Sequence, residues 1–220
     1  MANLVIQCKK QHKEGKKVYR FMKEVFQAVI VMMLINFPCS AGVERTSVMR
    51  YYEEPNALVV ISELTDGSAD RIINFYDKTP FKTLIITSPG GSVDAGLKLG
   101  SLVKENGIQV IVVKYCNSAC SLVYFSSPKD KRLMEDDSVL GLHNVSIESK
   151  GGDGDNTYVT IRQLKQFTEE LSSKVGFMFT LYASNGIPTN VLMRIATARG
   201  DDVIVVTKKE LEVWEASIPD

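Results

Sequence analysis

Thr83-Leu84-Ile85-Ile86-Thr87-Ser88-Pro89-Gly90-Gly91-Ser92-Val93-Asp94-Ala95-Gly96 passes from a strand pattern into a helical one within a single short stretch. Residues 83–87 are an apolar run with β-branched side chains, the pattern of a buried strand. Pro89-Gly90-Gly91 stops it, because proline has no amide for a ladder and glycine accepts φ values closed to other residues. From Val93 the apolar positions Ala95, Leu97, Leu99, Leu102 and Val103 can share the buried side of a helix running to Asn106, with Gly107 as its stop. A strand feeding a helix through a glycine turn is half of an α/β unit.

The same alternation extends in both directions. Leu58-Val59-Val60-Ile61-Ser62 reads as a strand closed by the turn residues Asp66-Gly67-Ser68, and residues 69–76 have helical spacing at Ile72, Ile73 and Tyr76. Residues 108–114 form a third strand, continuous enough in apolar character to be buried on both faces. Residues 118–126 read as a short apolar helix and residues 138–142 as a fourth strand, with His143 at its end. Residues 148–156, with Gly151-Gly152-Asp153-Gly154, have loop composition. Two amphipathic helices follow at 158–182 and 188–198, then a strand at 203–206 and a helix opened by the capping-box pair Thr207 and Glu210. No repeat of fixed period is present. Repeated strand–helix–strand units imply right-handed crossovers and a mainly parallel sheet, which makes this an α/β protein.

The chain has 220 residues, room for one domain with a sizeable core and too few for two ordinary ones. Hydrophobic residues make up 45% and charged residues 24%, which excludes collagen-like, low-complexity and disordered classes. The 26 basic and 26 acidic side chains cancel, which argues against a nucleic-acid partner held by a global positive field. The cancellation hides an asymmetry. Residues 1–24 carry seven basic and two acidic side chains, and no Asp, Glu, Lys or Arg occurs over 25–42, so the body of the chain is mildly acidic.

That basic segment leads into the apolar run 25–37, followed by Pro38 and Cys39-Ser40-Ala41. As a helix the run would span about 20 Å, short of the roughly 30 Å hydrocarbon core of a bilayer. A basic segment, a short apolar run and small residues at −3 and −1 of a cut after Ala41 describe a secretory signal peptide over residues 1–41. An uncleaved N-terminal anchor or a buried helix is the alternative, and Met22 is a more usual start for such a signal. Residues 42–220 then form a single domain, periplasmic or secreted, which would contact a membrane only if the segment stays attached.

Removal of 1–41 leaves two cysteines, Cys116 and Cys120, and one histidine, His143. Four residues apart on a helix, the cysteine Cα atoms would lie about 6 Å apart, within disulfide range but with unfavourable side-chain directions. Two small buried hydrophobes is the expected state, and a disulfide the alternative. A metal site is not expected, since zinc wants four ligands and the chain offers too few in metal-ligand spacing.

His143 is the one residue of the body whose ordinary pKa suits general-base work near neutrality. Upstream, Tyr115-Cys116-Asn117-Ser118-Ala119-Cys120 joins a buried strand to a short helix. A hydroxyl there stands at the carboxyl edge of the sheet, where open α/β folds bind ligands. The amide after Ser118 is a helix-start donor free for a developing oxyanion, and Gly90-Gly91 brings bare backbone to the same edge. Each feature also has a plainer reading. Ser118 could be an N-cap, His143 a buried structural side chain, Pro89-Gly90-Gly91 a tight turn and Asp201-Asp202 a turn before a strand. Ser121 is a rival serine one turn into the helix, and Cys116 or Cys120 a rival nucleophile.

These residues resemble the Clp protease proteolytic subunit and its relatives in the Clp/crotonase superfamily. The resemblance rests on Ser88-Pro89-Gly90-Gly91-Ser92-Val93-Asp94-Ala95-Gly96, on Asn117-Ser118-Ala119, and on His143 twenty-five residues after Ser118. It covers roughly residues 57–216 and is nearest to secreted or periplasmic Clp-like proteins with C-x-S-A-C around the serine and a G-x-H segment, here Gly141-Leu142-His143. It implies a fold of stacked β-β-α units with a mainly parallel sheet, and an exported serine endopeptidase acting on peptide or unfolded protein. Ser118 resembles the nucleophile, His143 the base, and Asp202 (with Asp201 as the alternative acid) the third member. The backbone amides of Gly90, Gly91 and Ala119 look like the oxyanion donors. No cofactor and no metal are implied, homo-oligomers are, and residues 158–182 are the expected assembly surface.

Several departures stand beside that likeness. Cys120 replaces the usual glycine, Asn144 replaces a glutamine, and aligning Thr207 with the family's serine puts Asp202 one residue out of register. No counterpart of the loops that dock an ATPase is visible, and the chain contains no G-x-x-x-x-G-K-[ST], so an ATPase partner is not expected. Two other readings stay open: a non-catalytic Clp-like assembly module, and a crotonase-like acyl-CoA enzyme that keeps the paired amides without a Ser/His pair.

Overall fold

The computed structural model describes residues 47–145, 160–198 and 202–216. In chain order the elements are β1 (Val48–Tyr52), β2 (Ala57–Ile61), α1 (Asp66–Lys78), β3 (Thr83–Ser88), α2 (Val93–Asn106), β4 (Gln109–Asn117) and α3 (Ala119–Ser126). A 3-10 turn at Lys129–Lys131 leads to β5 (Arg132–Met134) and β6 (Val139–Leu142), followed by α4 (Ile161–Ser184), α5 (Thr189–Thr197), β7 (Ile204–Thr207) and α6 (Lys208–Ala216). The described strands form one sheet in the order β1-β2-β3-β4-β6-β7, with β5 beside β4. Pairs β2–β3, β3–β4, β4–β5 and β4–β6 are parallel, whereas the outer pairs β1–β2 and β6–β7 are antiparallel. The sheet is therefore mainly parallel, with helices between its strands, as an alternating sequence requires.

β4 is the strand that positions the site. Its first half pairs with β5 through Val110↔Arg132 to Val112↔Met134, and its last residues pair with β6 through Tyr115↔Val139 to Asn117↔Gly141. Between them the ladder to β3 jumps from Ile86↔Val112 to Ser88↔Cys116, so extra residues of β4 bulge out. Lys114 lies in the bulge at φ 68°, exposed together with Tyr115. The Thr87 hydroxyl donates to the Val113 carbonyl and holds the bulge against β3. Strand ends of β3, β4 and β6 consequently leave the sheet at one edge, because all three run parallel.

Alternate residues Leu58 and Val60, Leu84 and Ile86, and Val110 and Val112 are buried in one core with Ile72, Leu99, Val103 and Val123 of the helices. Val59, Ile85 and Ile111, which point the other way on a period of two, are buried as well. Helices α2 and α3 approach closely because α2 presents glycines. A Cβ on Gly96 would lie 2.5 Å from the Ala119 carbonyl oxygen, and one on Gly100 would lie 2.7 Å from Ser126 Oγ. Farther along, Arg132 is sunk to 1% side-chain exposure, pairs with Glu215 of α6 at 2.8 Å and lies against the rings of Tyr124 and Phe125. That pair fastens the C-terminal helix to the body.

Some expectations from the sequence change here. Asp66-Gly67-Ser68 does not close β2 as a turn; it is the first turn of α1. Thr65 Oγ1 accepts from the Ser68 amide at 3.1 Å, and Ser68 Oγ accepts from the Thr65 amide at 2.8 Å. This reciprocal cap starts the helix where composition suggests a loop. Strands β1 and β5 were not expected; each is short and takes its stability from a partner strand. The long helix begins at Ile161 and buries only Met178 and Tyr182. No described helix is long and apolar enough to cross a membrane. The signal-peptide reading of residues 1–41, the loop at 148–156 and Asp201 lie outside the described residues.

Candidate active site

Ser118 occupies the N-cap position of α3 but does not cap it. Its backbone is at φ 53°, ψ −125°, and its side chain makes no capping hydrogen bond. A residue with a Cβ in that region costs about 1–3 kcal/mol, and the surroundings must over-determine it. They do so from several sides. The Ser118 amide donates to the Gly141 carbonyl of β6 at 2.7 Å, and the Ser118 carbonyl accepts from the Ser121 amide at 2.8 Å and the Ser121 hydroxyl at 2.6 Å. The turn thus aims a half-buried hydroxyl with no partner among the described residues.

Ser121, the rival serine, is spent on this scaffold. It is fully buried, and its oxygen also meets the Tyr182 hydroxyl of α4 at 2.6 Å. Burial pushes the Tyr182 hydroxyl up to about 12, so it stays neutral and serves as a hydrogen-bonding group. Tyr182 is the side chain that sequence reasoning missed, since 61 residues separate it from Ser121 and no local pattern links them.

Beside the serine stand Gly90 (φ 97°) and Gly91 (φ 137°). A Cβ on Gly90 would lie 2.6 Å from both the Asn117 carbonyl oxygen and Ser118 Cβ, and one on Gly91 would lie 2.3 Å from the Leu64 carbonyl oxygen. Leu64 clamps this turn: its amide donates to the Gly90 carbonyl at 2.7 Å, and its carbonyl accepts from the Ser92 amide at 2.7 Å. The Gly90 amide is itself engaged, donating to Ser88 Oγ at 3.1 Å. The amides of Gly91 and Ala119 have no acceptor among the described residues, and Ala119 opens a helix, where the dipole favours negative charge. Ser92 continues the segment as the cap of α2, accepting from the Ala95 amide at 3.3 Å.

His143 lies just past β6, whose Gly141 is the register partner of Asn117, so it leaves the sheet edge alongside Ser118. Its Nδ1 is 2.5 Å from the Asn144 carbonyl oxygen. Donation of Nδ1–H to that carbonyl leaves Nε2 as the free acceptor nitrogen. Asp202 is exposed, just before β7, and makes no hydrogen bond to the ring. β7 runs antiparallel to β6 through Leu142↔Ile204, so the Asp202 backbone approaches the end of β6 that carries His143 and Asn144.

The cysteines require a correction. Cys116 and Cys120 are not two separate buried thiols; they form a disulfide with Cα atoms 5.1 Å apart. The helical spacing behind the first reading does not apply, because Cys116 lies in β4, Cys120 lies in the first turn of α3, and the positive-φ turn at Ser118 brings them back together. Among the described residues no cluster of His, Cys, Asp or Glu is able to hold a metal ion.

A family model described as Clp protease matches residues 46–176, more than half the chain. No curated protein matches the sequence. Among solved structures, a mutant ClpP1 from Listeria monocytogenes is similar at 15% identity and TM-score 0.56, over 74% of this chain and 88% of that one. At this identity the likeness carries the fold.

Proposed function

This chain belongs to the Clp protease family, and from that premise we propose that it is an exported serine peptidase with Ser118 as nucleophile and His143 as base. The observation that carries the proposal is the Ser118 turn: a strained N-cap whose hydroxyl is withheld from capping, next to two unengaged amides. A backbone held at that cost for a serine needs a use for the uncapped oxygen.

An extended peptide would add alongside Gly91-Ser92-Val93. Ser118 Oγ attacks the scissile carbonyl while His143 Nε2 takes its proton, then returns it to the leaving amine. The amides of Ala119 and Gly91 receive the oxyanion, and Gly90 is the lesser donor because Ser88 already holds its amide. Water then attacks the acyl-enzyme with His143 again as base. Asp202 is the acid assigned to His143, with Asp201 as alternative, and the Asn144 carbonyl holds the same nitrogen in this structure. Hydrolysis proceeds without an ATPase and is confined to short or unfolded chains. Export is supported by the buried disulfide, since such bonds persist in oxidising compartments.

Reaction with a fluorophosphonate followed by intact mass tests the assignment. One adduct, lost in both Ser118→Ala and His143→Ala, is the expected result; labelling that persists in Ser118→Ala would sink it. The Asn144 contact at Nδ1 and the exposure of Asp202 favour a second reading, a non-catalytic assembly module. A folded protein that takes no adduct would establish that one instead.

A further inference from the structure

We propose that the Cys116–Cys120 disulfide is the positioning element of the Ser118 turn, so that the serine site is complete only in the oxidised protein; this rests on the serine peptidase reading above. The bond brackets the nucleophile evenly, two residues before it and two after. It joins the end of β4 to the first turn of α3 across Ser118, the positive-φ residue between them. Both cysteines are fully buried in the core, so the bond acts on the residues between them and not on solvent or a surface partner. The loop it closes is short and removes little freedom from the unfolded chain, so its effect falls on the geometry of the turn more than on global stability.

The remaining restraints act on the backbone ends of Ser118. Its amide is held by Gly141 and its carbonyl by Ser121. To these the disulfide adds a covalent tie between β4 and the first turn of α3. Without it, Ser118 can relax from φ 53° toward the negative-φ cap that an unstrained serine adopts, turning its hydroxyl onto the helix amides it is now kept from. The Ala119 amide, one residue after the cap, would then be displaced from its present direction. Two functions of the site, nucleophile and oxyanion donor, are lost together.

Maturation is a thiol–disulfide exchange. The two thiols lose two protons and two electrons as their S–S bond forms, and a dithiol–disulfide oxidant, small or protein, takes them up as its own disulfide becomes two thiols.

The test compares the oxidised protein, the same protein reduced with a phosphine under mild denaturation and refolded, and a Cys116→Ala/Cys120→Ala variant. Fluorophosphonate labelling is measured against probe concentration, with circular dichroism and thermal melting to confirm the fold. The expected result is a fall of about tenfold or more in the maximal labelling rate constant, with half-saturation unchanged, in both the doubly substituted and the reduced forms. Re-oxidation with oxidised glutathione restores the reduced protein and not the variant. Amide exchange over residues 116–122 reads the turn without chemistry and is expected to quicken on reduction. Unchanged exchange, or labelling within about twofold of the oxidised protein, overturns the inference. If the oxidised protein takes no adduct, the peptidase reading fails, and amide exchange alone decides whether the disulfide sets the turn.

Discussion

Gly90 abuts Ser118 so closely that a methyl group on the first would stand 2.6 Å from Cβ of the second. The bare backbone at Gly90 is what lets the β3 turn lie against the Ser118 turn. The Leu64 clamp prevents it from backing away, because the Gly90 carbonyl and the Ser92 amide are both bonded to Leu64.

Gly90→Ala is therefore expected to damage the site directly. Alanine at φ 97° is strained, and its methyl must displace Asn117, Ser118 or the Leu64 bridge. Labelling of Ser118 should fall by about 100-fold, with a loss of stability of about 1–3 kcal/mol. Labelling kinetics and urea unfolding on the same variant check both numbers.

Ser118 itself should be a stability liability. At φ 53° glycine is free of the penalty that serine and alanine carry. Ser118→Gly should abolish labelling and raise stability by about 1 kcal/mol over Ser118→Ala. Equal unfolding midpoints for the two variants would show that the turn is not strained.

The buried pair Ser121 and Tyr182, 2.6 Å apart, should behave as a coupled unit. Tyr182→Phe removes one hydroxyl and is expected to cost about 1 kcal/mol, whereas Ser121→Ala strands the tyrosine and costs about 1–3 kcal/mol. A double-mutant cycle by chemical denaturation should return a coupling energy of at least about 0.5 kcal/mol.

Burial outweighs Arg132 at Glu215 and raises its carboxyl above the ordinary carboxylate range, with the arginine pulling the other way. A carboxyl raised in the folded state binds its proton more readily there than when unfolded. Stability thus rises as pH falls from the raised value toward the ordinary one, and the contribution is constant outside that window. Glu215→Gln should lack this slope, so the difference in unfolding free energy between the two proteins should shift in favour of wild type on mild acidification. Arg132→Ala, which strands a half-buried carboxylate, should cost about 3–5 kcal/mol.

α4 exposes Ile161, Leu164 and Phe167, with Ile161 at 88%. Members of the Clp protease family assemble, and this stripe is the surface expected to do so here. Leu164→Glu with Phe167→Glu should convert an oligomer to a monomer by light scattering after size exclusion, leaving circular dichroism unchanged. An assembly of unchanged mass would place the interface elsewhere.

The sequence by itself determined what depends on neighbouring residues. The run from Thr83 to Gly96 had to leave a strand and enter a helix, because apolar periodicity and the glycines act locally. The same holds for the strand before Ser118 and the strand before His143, so the serine and the histidine were legible as residues leaving one sheet edge. Only the tertiary structure decided the rest. Cys116 and Cys120 pair because the turn between them is not helical, and Gly141 of β6 and Gly90 of the β3 turn close on that turn from other elements. Likewise the Tyr182 hydroxyl engages Ser121 from 61 residues away, a pairing no local spacing could show. Donor availability, burial and backbone strain are set by whatever packs against a residue, and for this site those neighbours come from distant parts of the chain.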